Sequence, residues 1–203
     1  MAKYRHRSDA WVDAIIDKLG GEKAADAFLC DQGAVSAPTH AWREQDGVIR
    51  FSVTSDGTTG EGWITRFESK GSKLTEWVKD VLRSEAFQPT NGITTNIAVL
   101  KDELFTDNDR ITSMIRSEAH RRKLTKPNPE VACLIREKFT DEEIEEMGLI
   151  WIIVMHKPIK DSGRPSLLGP SGCRYARRLN AYYGKPDNKC SRGSGFAFAA
   201  PPT

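Results

Sequence analysis

Cysteine is scarce in this chain and poorly spaced for chemistry. The four residues, Cys30, Cys133, Cys173 and Cys190, form no Cys-x-x-Cys pair, and no histidine stands at metal-ligand spacing from any of them. That leaves no zinc pattern and no cofactor to expect. Histidine is equally thin. His6, His40, His120 and His156 include no i, i+4 pair and no Ser or Cys nucleophile context. The acidic run of Asp141, Glu142, Glu143, Glu145 and Glu146 reads as the charged start and solvated face of a helix rather than a metal cage. Long apolar runs are missing too. The strongest, Leu149 to Met155, is too short to span a bilayer, and Met1 to Asp9 lacks an apolar signal core. A cytoplasmic protein without a membrane span is therefore expected. Net charge is only +2 over 203 residues, so no global field draws the chain to nucleic acid.

What is present is an ordinary soluble balance, 38% apolar and 29% charged, with enough length for a sizeable core. Trp11, Val12, Ile15, Ile16 and Leu19 recur at helical spacing before Gly20-Gly21, and a second short helix is expected to run to about Leu29. Val48, Ile49, Phe51 and Val53 predict a strand that ends at Asp56-Gly57. Gly57 to Gly62 reads as a turn, because Glu61 and Trp63 stand where a phosphate loop needs Lys and Ser or Thr. Leu74, Trp77, Val78, Val81 and Leu82 predict an amphipathic helix, and Ile93 to Leu100 a strand. Ile111, Met114, Ile115 and Ala119 share one helical face, and Val131, Leu134 and Ile135 another. Thr140 with Glu143 fits a capping box. Leu149 to Met155 reads as a central strand covered on both sides.

From Asp161 onward Gly, Ser, Pro, Arg, Asn and Tyr dominate, and apolar alternation returns only at Phe196-Ala197-Phe198. The intervening stretch reads as one long loop, which in a compact domain is functional or disordered. It carries Arg174, Arg177, Arg178, Lys185, Lys189 and Arg192 among Tyr175, Tyr182 and Tyr183. Tyrosine offers contact area at low entropy cost, and Arg, Ser, Gly and Asn supply adaptable hydrogen bonds, as in protein-binding loops. The same mixture can stack bases and meet phosphates, so a nucleic-acid-binding accessory protein is the alternative. His156, at the end of the apolar strand, is the best-placed residue for an enzyme of unknown type, although a satisfied structural histidine is the commoner outcome.

The segment CRYARRLNAYYGKPDNKCSRGSGFAF resembles the variable region of target proteins of diversity-generating retroelements, through Cys173-Arg174, Ala176, Arg178, Pro186-Asp187-Asn188 and Gly195-Phe196. Ala197 stands where an arginine would follow Gly-Phe in that family. The stretch from Arg122 to Arg136 loosely resembles the helix of formylglycine-generating-enzyme-like lectin folds, and TSDGTTGEGW, EVACLIREKF and MHKPIKD resemble small proteins of reduced-genome candidate-phylum bacteria. Randomising the first two bases of an asparagine codon cannot yield Lys, Glu, Gln, Met or Trp. Between Cys173 and Ser194 only Lys185 and Lys189 break that rule.

The resemblance implies an α+β fold of mixed helices and a short antiparallel sheet. An N-terminal α/β part would span 1–90. A C-type-lectin-like ligand-binding domain would span 91–203, with a variable loop region at 173–195. It implies a non-catalytic display protein for an unknown protein or other macromolecular ligand. Tyr175, Tyr182 and Tyr183 would anchor that ligand, Arg177 and Lys189 would supply charge, and Asn180, Asn188, Cys190, Ser191 and Ser194 would complete the contact set. The strands at Ile150 to Met155 and Phe196 to Phe198 would form its rigid base.

Overall fold

The computed structural model describes residues 9–19, 21, 40–161, 163–172 and 178–201. The chain divides into two compact units, Met1–Ala41 and Trp42–Thr203. The first contains helix α1 (Asp9–Leu19), where the apolar spacing predicts it. Gly21, at φ +95°, donates its N–H to the Ile16 carbonyl and ends the turn. The second short helix expected there lies outside the described residues.

The second unit is built on an eight-stranded sheet. Its strands are β1 (Arg43–Gln45), β2 (Val48–Asp56), β3 (Asn91–Lys101), β4 (Trp151–Val154), β5 (Ile159–Asp161), β6 (Arg164–Ser171), β7 (Arg178–Tyr183) and β8 (Ser194–Ala199). The order is β1-β2-β3-β8-β4-β6-β5, with β7 paired to β6. All pairs are antiparallel except β4 with β8, which is parallel. The class is therefore mixed α+β as expected, but the sheet is larger than a short one. The division expected at residues 90 and 91 falls inside this unit, since β2 and β3 pair along nearly their full length.

Period-two alternation sends neighbouring side chains to opposite faces, and both faces are covered. Toward one face point Ile97, Val99, Ile152, Val154 and Ala197. They meet four helices: α2 (Gly60–Ser69), α3 (Glu76–Arg83), α5 (Val131–Lys138) and α6 (Asp141–Glu146). Toward the other point Ala98, Leu100, Ile153, Phe196 and Phe198, under Ile115 and Ala119 of α4 (Thr112–Arg121). Leu104, Phe105, Leu124 and Cys190 extend the cover of this second face, and farther out Arg50, Ser52, Thr54 and Thr94 are exposed. The alternation of β2 records this in its sequence, because its inward Ile49, Phe51 and Val53 are all on the four-helix side.

The expected capping box is present: Thr140 accepts from the Glu143 N–H while the Glu143 carboxylate accepts from the Thr140 N–H. Two expectations need correction. Gly57 to Gly62 is a turn for only its first part. Asp56 accepts from the Thr58 N–H and hydroxyl, Thr59 caps the chain at the Gly62 N–H, and helix α2 begins at Gly60. Glycine is required at position 60 because a Cβ there would lie 1.9 Å from the Leu82 carbonyl oxygen. The supposed long loop after Asp161 contains β6 and β7, a paired hairpin running from Ser166↔Tyr183 to Ser171↔Arg178. Its glycine is again a close approach, since a Cβ on Gly169 would lie 1.9 Å from the Ile152 carbonyl oxygen.

Candidate ligand-binding surface

The backbone from Gly184 to Gly193 is pinned along its length. Gly184 donates to the Pro165 carbonyl at 2.7 Å. The Pro186 and Asn188 carbonyls accept from the Ser113 and Thr112 N–H groups, so the loop caps the start of α4. This helix has no side-chain cap of its own, so the loop supplies acceptors that its orphan donors require. Cys190 exchanges bonds with Arg110, its N–H reaching the Arg110 carbonyl and its carbonyl accepting from Arg110 Nε, both at 2.9 Å. Gly193 closes the segment, donating to Asp102 at 3.1 Å while its carbonyl accepts from the Ile150 N–H at 2.7 Å.

On that fixed backbone the side chains divide sharply. Tyr183, Lys185, Pro186, Asp187, Lys189, Ser191 and Arg192 are exposed. Asn188 is half-buried and serves mainly through its carbonyl. Cys190 and Ser194 are buried, so these two lie inside the structure and not on the surface pictured from sequence. Burial raises the Cys190 thiol pKa, which keeps it protonated. Tyr175 and Arg177 lie outside the described residues.

The hairpin also separates residues that adjoin in sequence. Tyr182 turns toward the α4 face, where its ring meets Trp151 edge-on at 6.3 Å and burial pushes its phenol well above the ordinary range. Asn180 donates to the Ser171 hydroxyl at 3.0 Å. Tyr183 turns to the opposite side, 46% exposed, with its ring 5.2 Å from Trp77 of α3. Trp77 is fixed by its indole N–H on the Ser166 hydroxyl at 2.9 Å, and the Arg164 guanidinium lies over its ring at 5.2 Å. Of the expected tyrosine anchors, Tyr182 and Tyr183 thus do not share one patch. Trp77 is the partner that the sequence hid, because its helical spacing marks it as a core position and nothing local links it to residue 183.

His156 is fully buried, and both ring nitrogens are engaged. Nδ1 lies 2.7 Å from the Lys157 carbonyl and therefore carries the proton. Nε2 accepts from the Leu168 N–H at 3.0 Å, filling a gap in the β4–β6 ladder with an imidazole in place of a strand carbonyl. Burial lowers its pKa to about 4, so the ring is neutral at pH 7. The site residue suggested by sequence is thus a structural link, with no exposed nitrogen to act as a base. Cys133 is likewise buried and its thiol pushed up by burial. Arg121, the last residue of α4, and Arg122 just after it are both held by Glu118 at 2.6 Å.

No family model, no curated protein and no solved structure matches this chain. No helix among the described residues is long and apolar enough to cross a membrane.

Proposed function

We propose that this protein binds a macromolecular partner, most simply another protein, through the exposed side chains between Tyr183 and Arg192, and that it does so without catalysis. The observation that carries the reading is the division just described. One short segment has its backbone fixed by bonds to α4, Arg110, Asp102 and Ile150, while most of its side chains point outward. A rigid base with interchangeable tips is what a recognition loop requires, because little ordering entropy is then lost on binding. The charge favours a protein over a nucleic-acid strand: Asp187 stands among the lysines, and Arg192 is paired with Asp107 at 2.8 Å.

Diversification of this surface by a retroelement, and a C-type-lectin-like fold, are part of the proposal and rest on the sequence resemblance alone. The structure sharpens the test. Many copies of the gene from one population are sequenced, together with the flanking DNA. Substitutions should cluster at exposed positions such as Tyr183 and Ser191, spare Leu179, Cys190 and Ser194, and have a nearby reverse transcriptase with a template copy. Identical loops across the population, or substitutions equally frequent at the buried positions, would overturn diversification.

A further inference from the structure

A second site adjoins that surface and shares its Gly184 and Pro186. We propose that the cleft between the first turn of α4, Lys126 and the Gly184–Pro186 segment binds a phosphate group. The cleft has a volume of about 330 Å³, near the lower end for small-molecule sites. Arg116 and Lys126 line it, with the hydroxyl-bearing Thr112 and Ser113, and among the described residues no carboxylate does. Pro158 and Pro186 supply apolar walls.

The state of Arg116 is the main argument. Its Nη2 donates to the His156 carbonyl at 3.0 Å, and its Nη1 is sealed without any partner. No carboxylate pairs with it or with Lys126 among the described residues. Burial without a counter-ion lowers its pKa, the mark of a charge whose solvation has been removed and not replaced. An oxyanion in the cleft would supply that counter-charge.

The neighbouring cleft on α4 provides a control. It is larger, about 410 Å³, and contains Arg121 and Arg122, but Glu118 lies in its wall and neutralises both at 2.6 Å. Two clefts on one helix thus have paired cations in one case and unpaired cations in the other. Phosphate suits the unpaired set. The Arg116 guanidinium supplies uncompensated charge at the cleft wall, Lys126 offers a point charge, and the Ser113 hydroxyl adds a neutral donor. The N–H groups of Thr112 and Ser113 are already taken by the loop carbonyls, so side chains and not the helix end must hold the anion.

The test is an amide-resolved NMR titration of the full chain with sodium phosphate, against sodium chloride at matched ionic strength. Phosphate should give saturable shifts centred on Ser113, Arg116, Lys126 and Gly184. Lys126 is exposed, so Lys126→Ala should keep its thermal midpoint while weakening phosphate binding about tenfold, the effect of one charge-assisted hydrogen bond. Arg116→Met should also bind more weakly, since the charge that the anion would answer is removed. Phenyl phosphate forms a further arm: tighter binding than the inorganic ion identifies a phosphorylated organic ligand, and equal or weaker binding identifies free phosphate. Shifts that chloride reproduces, titrations that never saturate, or undiminished binding by Lys126→Ala would overturn the site.

Discussion

On one face of the sheet Arg136 is almost wholly buried and its charge is matched by a carboxylate: its guanidinium meets Asp141 at 2.6 Å, the Ser171 carbonyl at 2.9 Å and the Phe139 carbonyl. On the other face Arg116 is half-buried, bonded to one carbonyl and matched by no carboxylate among the described residues. The same contrast holds for the layers around them. Four helices seal the first face, and it carries the larger share of the buried apolar side chains. One helix covers part of the second, whose α4 borders both clefts and whose outer strands remain open and polar. Stability is concentrated on the first face, and the second retains unmet charge and accessible surface, as binding sites do.

The sharpest way to break this contrast is to delete each arginine in turn. Arg136→Met should cost about 3–5 kcal/mol, because the Asp141 carboxylate would be left buried without its partner. Arg116→Met should cost between nothing and about 1 kcal/mol, the value of one ordinary hydrogen bond. Urea unfolding measures both, and equal losses would abolish the distinction.

Acid gives a second test, of the link between the two halves of the sheet. The pKa of His156 is depressed to about 4 by burial, against roughly 6.5 when unfolded. Its contribution is therefore complete above the unfolded value and is lost as pH falls from there through the folded one. The loss should be on the order of 3 kcal/mol. His156→Gln should flatten that part of the pH–stability curve, and an unchanged slope would place the acid sensitivity elsewhere. Asp56, by contrast, is lowered to about 2, chiefly by its hydrogen bond from Thr58 and then by that from Arg66. Its weaker, largely exposed contribution should fade only below its unfolded value of about 3.9.

The smallest effect is expected at the capping box. Thr140→Ala removes the acceptor for the Glu143 N–H and should cost about 1 kcal/mol in thermal or urea unfolding. A loss as large as that of Arg136→Met would show that α6 depends on its end more than on the buried Ile144 beneath it.

The four-helix face was also the more legible in sequence. The inward stripe of β2, the Val78-Val81-Leu82 stripe of α3 and the Thr140–Glu143 box each state their structure within a few residues, so period and capping chemistry suffice. Strand β6 does not. Pro165, Gly169 and Pro170 mark it as irregular, yet the reasons those residues are accepted lie elsewhere in the chain. Gly169 leaves room for the Ile152 carbonyl. The Leu168 N–H points away from β7 to His156, and Pro170, two residues on, has its nitrogen on that same side, so no β6–β7 bond is forfeited. Helix α2 was hidden in the same manner by Gly60, which the Leu82 carbonyl explains. The recognition segment was visible by composition, but which of its side chains point outward was not. Cys190 and Ser194 sit among polar neighbours in sequence and against Arg110 and the strand core in space.

The imidazole between β4 and β6 also has a mechanical meaning. Only Trp151↔Ser171 joins those strands in regular register, and the histidine ring supplies a further tie. The sheet therefore has a seam, with β5, β6 and β7 forming a panel on one side of it. Amide exchange in that panel should begin by the panel lifting as a unit, before the β2–β3–β8 ladder opens. A lifted panel would leave the edge of β4 unpaired, a template for another chain. Protonating a single side chain would then do more than lower stability: it would determine where the molecule first comes apart and which edge it exposes.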